Sequence, residues 1–209
     1  MGTWEMIDAE RGELADVCDA LTAEQWDAPS LCEKWRVRDV VGHLVGGANL
    51  GTGQAMVTLV KYGFRLGTML EKTAIEAGSA PTSELASEMR GAVGARRKPP
   101  GVKPEGVLTD TVIHQQDIRR ALGLPRTIAP EHVRIALDET AGTSNGLLPG
   151  KKRIAGLHLH ATDMDWDIGD ATAPDVTGTG EALLMAMAGR AVALADLSGS
   201  GVETLRARP

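Results

Sequence analysis

The sequence contains little cysteine, few aromatic residues and no excess of basic charge. Its two cysteines form neither a CxxC motif nor a zinc-ribbon spacing, so we expect two free thiols in a reducing, cytoplasmic compartment. The formal charge of −6 and the pI near 5.4 argue against a nucleic-acid binder driven by counterion release. We expect no secretory leader, because Glu5, Asp8, Glu10 and Arg11 interrupt the N-terminal segment.

A long uncharged segment, residues 40–60, raises the question of a membrane span. It contains five glycines together with polar residues such as Asn49 and Gln54, so it is not predominantly apolar. We therefore expect two buried helical segments that meet near residues 51–53, and no contact with a membrane. With 43% hydrophobic residues among 209, the chain has enough apolar material for one core, or one core plus a small satellite domain.

Apolar residues at helical spacing predict a helical region over the first two thirds of the chain. The predicted segments are about 4–21, 36 onwards, 53–77, 83–95, 107–122 and 130–141. Cys18 lies on the apolar stripe of the first segment, so we expect a core residue rather than a reactive thiol. Cys32 lies near the start of the second helix, where we expect a packing role or a role supporting a nearby site rather than that of a nucleophile.

The hydrophobic period changes after residues 142–153, which are rich in turn-forming residues and end in three basic ones. Leu157 and Leu159 then alternate with polar residues, which predicts a strand, followed by a helix over about 181–195 and a last strand over about 202–208. We therefore expect an α fold with a small α+β tail. A helical domain would cover residues 1–145, and a strand–helix–strand domain residues 150–209.

Three residues in the helical region have the spacing of metal ligands. Asp110 and His114 are four residues apart, so both side chains project from one face of the fifth helix. His43, on a neighbouring helix, would complete a set of two imidazoles and one carboxylate. Three protein ligands leave positions open, as in catalytic rather than structural sites. The spacing alone supports metal binding and a buried polar pair about equally.

The role of Asp117 stays open on the sequence. It lies seven residues after Asp110 on the same stripe, where it could accept a hydrogen bond from His114 or act as a fourth ligand. A surface salt bridge to Arg119 or Arg120 is the simpler interpretation, and the sequence slightly favours it.

Two further features of the tail could carry chemistry. Arg190 is predicted on a helix that is apolar on both sides, so its guanidinium needs an anion. A protein carboxylate at the domain interface is the favoured partner, and a substrate carboxylate, which would make Arg190 catalytic, is the alternative. His158 and His160 also have metal-ligand spacing, but without a third ligand we expect an exposed polar face.

Several segments together resemble the mycothiol-dependent maleylpyruvate isomerase family. These are LTAEQW at 21–26, SLCEKWRVRDVVGHL at 30–44 and DTVIHQQDIRRALG at 110–123. In the tail, residues 155–166, 188–190 and 197–201 are similar to the small C-terminal domain of that family. The resemblance spans nearly the whole chain and is weakest over about 53–106.

The resemblance implies a DinB-like four-helix bundle and a divalent metal, usually zinc, on His43, Asp110 and His114. Family members usually have Glu where this chain has Asp110, so the shorter side chain requires a metal closer to the helix or bound through water. The thiol implied is mycothiol, and a divalent cation beside a thiol favours the nucleophilic thiolate. Expected partners are this thiol and a small electrophile, with the protein a monomer or a homodimer.

Two enzymatic outcomes and two other functions stay open. If the thiolate adds to a double bond, the bond rotates and the thiol is then eliminated, the net reaction is cis–trans isomerisation. If the reaction ends at the thiol adduct, the net reaction is S-transfer. A DinB-like metal-binding stress or interaction protein without turnover is the alternative, slightly favoured by Asp110 in place of Glu. A lipid-carrier-like tail is a third hypothesis, but about 60 residues are few for enclosing a lipid.

Overall fold

The computed structural model describes residues 1–49, 51–143 and 148–208, with the side chain of residue 52 left out. The chain divides into two compact units, Met1–Arg126 and Thr127–Pro209. The boundary predicted at 142–153 therefore differs from the division found, and part of that segment lies outside the described residues. The physical reason is that the helix beginning at Pro130 packs against the C-terminal elements, although its sequence pattern resembles that of the preceding helices.

The regular elements of the first unit are all helices in its described residues, as predicted, apart from an isolated bridge between Pro29 and Arg36. Its helices are α1 (Thr3–Ala20), α2 (Ala23–Asp27), α3 (Val37–Asn49), α4 (Thr52–Lys61), α5 (Leu66–Gly78), α6 (Thr82–Gly91) and α7 (Pro104–Ala121). Helices α1, α3, α6 and α7 pack on one another as a bundle, and α5 packs along α3. The single segment expected over 53–77 is two helices, because Gly63 and Phe64 both adopt a positive φ and end α4.

The core of the first unit is built from the apolar stripes of α1, α3 and α6. The buried residues include Leu14 and Cys18 on α1, Val41 on α3, and Leu85 and Met89 on α6. Cys18 is only 2% exposed, in agreement with its predicted packing role. Burial raises the pKa of its thiol to about 12, so the group stays protonated at physiological pH.

The contact between α3 and α5 depends on a glycine. A Cβ atom on Gly42 would lie 2.7 Å from the Gly78 backbone nitrogen and 3.0 Å from the Ala77 Cβ atom. Real Cβ contacts are longer than this, so the two helix backbones approach more closely than any larger residue would allow. The close crossing fixes the position of α3.

The second unit combines helices with a three-stranded sheet. It contains α8 (Pro130–Gly142), α9 (Gly150–Arg153), β1 (His158–Ala161), β2 (Asp167–Ile168), β3 (Asp175–Gly178), α10 (Gly180–Met187), a 3₁₀ helix (Ala191–Asp196) and α11 (Val202–Arg206). The strand order is β2-β1-β3, with β1 antiparallel to β2 and parallel to β3. The predicted small α+β tail is therefore confirmed as a class.

Two details of the tail prediction were wrong. The last segment is the helix α11 rather than a strand, because Val202 and Leu205 are the buried residues and their spacing is helical. The helix expected over 181–195 ends at Met187, where Gly189 adopts a φ of +89° and the Arg190 N–H donates to the Met185 carbonyl. None of the described helices is long and apolar enough to cross a membrane.

The close crossing of α3 and α5 predicts a specific sensitivity to Gly42→Ala. The added methyl group overpacks the crossing, so the free energy of unfolding should fall by about 1–3 kcal/mol. Gly12→Ala is the matched control, because Gly12 lies inside α1 with no atom near its Cβ position. Urea denaturation of the two variants checks the expectation, and equal stability would contradict the packing argument.

Candidate metal site

The two predicted histidines and Asp110 come together in the first unit. His43 projects from α3, while Asp110 and His114 lie one turn apart on α7. His43 Nε2 is 3.4 Å from Asp110 Oδ2, and His114 Nε2 is 3.4 Å from Asp110 Oδ1. The three candidate ligand atoms all lie within 4.8 Å of one another. The sequence-based grouping of these residues thus corresponds to one cluster.

The separations between these atoms fit a bound cation. Bonds of about 2.0–2.1 Å to zinc place tetrahedral ligand atoms about 3.3–3.4 Å apart. A direct charge-assisted hydrogen bond would be shorter, at about 2.7–2.9 Å. Each carboxylate oxygen therefore stands off from one imidazole nitrogen by a distance that a shared metal ion allows. Two imidazoles and a carboxylate are also ligands that zinc accepts.

Electrostatics favour an ionised carboxylate at this position. Desolvation opposes the charge on Asp110, but the attraction of His43 and His114 outweighs it and holds the pKa of Asp110 well below its usual range. Desolvation likewise opposes protonation of His114, and Asp110 and Asp117 together raise its pKa above the usual value. Asp110 retains 48% of its side-chain exposure, so the cluster is open to solvent on the Asp110 side.

Asp117 lies behind His114 rather than among the three ligand atoms. His114 Nδ1 and Asp117 Oδ2 are 2.8 Å apart, and the Asp117 side chain is fully buried. Arg119, one of the two predicted partners of Asp117, donates instead to Gln115 and to the Pro125 carbonyl. With Nδ1 donating its proton to Asp117, Nε2 is the nitrogen free to bind a metal.

A second group of possible ligands shares His114. Cys32 Sγ lies 3.9 Å from His114 Nδ1, and Cys32, His114 and Asp117 also form a cluster with metal-ligating atoms. The 2.8 Å between Nδ1 and Asp117 is a hydrogen-bond distance and is too short for two tetrahedral ligands. The His43–Asp110–His114 group therefore fits a metal better.

The loop between α2 and α3 forms one wall of the site. The Leu31 N–H donates to the Asp117 carbonyl at 3.1 Å, which fastens this loop to α7. The Trp35 ring lies 5.1 Å from the His43 ring and 5.8 Å from the His114 ring, measured between centroids. Trp35 thus packs against both imidazoles, with its ring tilted relative to each of them.

The other sequence-predicted candidates lie in the second unit. Arg190 follows α10 rather than lying on it, and its Nη1 donates to the Ala188 carbonyl at 2.7 Å. A catalytic role for Arg190 stays a prediction. His158 and His160 stack at 5.8 Å on the sheet, where His160 Nε2 and Thr177 Oγ1 are 2.8 Å apart. This arrangement agrees with a polar face rather than a metal site.

Two parts of the site were hard to predict from the sequence: the pairing of Asp117 with His114, and the loop that carries Trp35 and Cys32. The signal for Asp117 was its spacing of three residues from His114, which brings the two side chains onto one face of a helix. No comparable local signal existed for the loop. Its contacts with α7 join residues about 80 positions apart in sequence.

Residues 7–100 match a family model described as the mycothiol maleylpyruvate isomerase N-terminal domain. The match begins within α1 and extends beyond α6, including His43, and over these residues it confirms the resemblance predicted from the sequence. Asp110 and His114 lie beyond the matched residues. No curated protein and no solved structure gives a significant match.

The position of Asp117 predicts an effect of Asp117→Ala on metal affinity. Removing the carboxylate frees the His114 ring and its tautomer, so the affinity for zinc should fall about 10–100-fold while most of the fold is retained. Competition with a chromophoric chelator measures the affinity, and circular dichroism checks the fold. An affinity equal to that of the wild-type protein would show that Asp117 does not orient His114.

The environments of the two cysteines predict different reactivities. Cys18 is buried with a strongly raised thiol pKa, whereas Cys32 is partly exposed, so iodoacetamide should modify the native protein at Cys32 alone. Peptide mass spectrometry locates the label, and Cys32→Ser should abolish it. Labelling of Cys18 in the folded protein at pH 8 would contradict the packing of α1 described above.

Proposed function

We propose that this chain, whose residues 7–100 match the mycothiol maleylpyruvate isomerase N-terminal domain model, is a metal-dependent enzyme that uses mycothiol. It would activate the thiol for S-transfer to a small electrophile or for thiol-assisted cis–trans isomerisation. The observation that carries the proposal is the 3.4 Å separation of the Asp110 oxygens from the Nε2 atoms of His43 and His114. Zinc is the proposed metal, because the ligands are nitrogen and oxygen atoms.

The residues of the chain have distinct proposed roles. His43 and His114 would hold the metal through Nε2, and Asp110 would supply the charged ligand. A bound divalent cation lowers the pKa of a nearby thiol and so favours the thiolate. Asp117 would keep the His114 proton on Nδ1, and Trp35 would exclude water from the imidazole faces.

The proposal also includes a binding role for Arg190 and a cytoplasmic location. A guanidinium is suited to bidentate pairing with a carboxylate, so Arg190 is our candidate residue for an anionic group of the electrophile. Arg190→Lys would then raise KM for carboxylate-bearing electrophiles more than for neutral ones. Cys18 and Cys32 are free thiols, which agrees with the proposed cytoplasmic location.

The alternative function is metal binding without turnover, as a stress or interaction protein. The observation that favours it is Asp110, where the resembling family usually has Glu. A shorter carboxylate changes the position of the metal, and sub-ångström changes in position affect catalysis more than affinity. The alternative protein would bind metal and thiol with ordinary affinity and convert no electrophile.

Metal analysis combined with a thermal-shift screen tests the proposal. The purified chain should hold about one divalent ion, and His43→Ala or His114→Ala should remove it. His158→Ala is the matched control, because His158 lies on the sheet of the second unit. Mycothiol should raise the melting temperature of the metal-loaded protein more than glutathione does. Removal of the metal should abolish this difference between the two thiols.

Turnover separates the two functions. The proposed enzyme should convert electrophiles such as maleylpyruvate or a haloalkyl compound only when both metal and mycothiol are present. Binding of the thiol with no turnover across the screen would favour the alternative. A metal-free chain whose stability does not change with chelators would contradict both.

A further inference from the structure

A groove of about 650 Å³ lies between α1, α2 and α6 in the first unit. Its volume is within the range of pockets that hold small molecules. The buried residues Cys18, Trp26 and Ala86 line it, together with polar residues of α6. None of the three residues of the metal-ligand cluster lines this groove, so a molecule bound here would be additional to the metal.

The indole N–H of Trp26 has no hydrogen-bond partner within the described part of the chain. Trp26 is only 4% exposed, and its Nε1 is not among the side-chain atoms that are enclosed without a partner. The N–H therefore opens to the groove that Trp26 lines. Buried indole donors normally find an acceptor, as Trp166 does at Asp138. An open donor on a buried side chain points to an acceptor on a ligand.

The N-terminus of α6 supplies further donors to the same groove. Helix α6 has ten residues, it begins at Thr82 after Pro81, and no side chain caps it. Thr82 and Ser83 both line the groove, and neither their N–H groups nor their hydroxyls donate to another described residue. First-turn N–H groups and the positive end of the helix dipole together favour a negatively charged ligand.

The acidic side chains near the groove lie towards the other end of α6. Asp19 lines the groove and pairs with Arg90 Nη2, which also contacts Asp16 at 2.7 Å. Arg90 follows Thr82 by eight residues, which corresponds to about 12 Å along the helix axis. These carboxylates are therefore paired with a cation and are separated from the donors at the N-terminus of α6.

The rest of the lining is largely apolar. Leu21 and Ala86 contribute hydrocarbon surface, and the Cys18 thiol stays neutral because burial raises its pKa to about 12. A group of hydrogen-bond donors beside an apolar wall suits a molecule with an anionic head and a hydrocarbon body.

We propose that this groove binds a small organic carboxylate. The carboxylate accepts hydrogen bonds from the first-turn N–H groups of α6 and from the Trp26 indole N–H, and the hydrocarbon body lies against Leu21 and Ala86. The inference goes beyond the proposed function and does not depend on it, because neither the metal nor a thiol takes part in this binding.

Titration of the full-length protein, followed by ¹H–¹⁵N correlation spectra, tests the site. Hexanoate is the probe and hexanamide is its neutral counterpart. The chain has four tryptophans, and the indole signal that disappears in Trp26→Phe belongs to Trp26. Hexanoate should shift this signal saturably, together with the amide signals of Thr82 and Ser83. Hexanamide should bind about 10-fold more weakly, because hydrogen bonds to a charged acceptor are stronger.

Two substitutions at Thr82 form a matched pair. Thr82→Ala removes the hydroxyl and keeps the N–H, whereas Thr82→Pro removes both. Proline suits the first position of a helix, and the extended ψ of 137° at Pro81 allows a following proline. The affinity for hexanoate, measured at the Trp26 signal, should be about 10-fold lower in Thr82→Pro than in Thr82→Ala. Trp26→Phe, measured at the Ser83 amide, should weaken binding by a similar factor.

Binding to the metal-ligand cluster is the competing explanation, and Trp35 reports on it because its ring packs against His43 and His114. His43→Ala should bind hexanoate with wild-type affinity at the groove. A shift of the Trp35 signal alone, lost in His43→Ala, would place hexanoate at the cluster and overturn the proposal. Equal affinities for hexanoate and hexanamide, equal affinities in the two Thr82 variants, or a Trp26 signal that does not move would overturn it as well.

Discussion

Asp110 faces two imidazoles at the same distance, and the site depends on that arrangement. Its carboxylate is attracted to both rings, yet it stands 3.4 Å from each nearest nitrogen instead of closing onto either one. Helices α3 and α7 set this distance, because His43 belongs to one and the other two residues to the other. The close crossing at Gly42 positions α3, and the Leu31–Asp117 hydrogen bond fastens the preceding loop to α7.

Helix α7 carries an unusual load of buried polar groups for a bundle helix. The hydroxyls of Thr109 and Thr111 donate hydrogen bonds to the carbonyls four residues earlier, and the Gln115 side chain donates to the Glu10 carbonyl. Asp117 satisfies His114 in the same way. Burying such groups costs free energy unless they find hydrogen-bond partners. The polar groups named here are all paired, and one of these pairs orients His114 in the metal-ligand cluster. On helix α3, Gly42 allows the close packing of α5, and His43 belongs to the metal-ligand cluster.

The spacing of residues within one helix was enough to predict part of the metal-ligand cluster. Asp110 and His114 are neighbours on any helix, so their pairing required only that α7 be helical. The addition of His43 required two helices to meet, which the residue pattern suggested, the spacing could not show and the family resemblance supported. Loop residues were harder, because the approach of Cys32 and Trp35 to His114 depends on tertiary folding alone. In the tail, the few residues of 202–208 carried too little periodicity to distinguish a strand from a short helix. The change of unit at Arg126 was not predicted, because Gly123 and Pro125 beside it indicate only the end of a helix.

X-ray absorption spectroscopy of the zinc-loaded protein tests the central claim most directly. A shell of two imidazole nitrogens and light oxygen or nitrogen scatterers at about 2.0–2.1 Å is the result we expect. The spectrum should be lost in His43→Ala and unchanged in Cys32→Ser. A sulfur scatterer near 2.3 Å that disappears in Cys32→Ser would instead assign the metal to the other side of His114 and contradict the account.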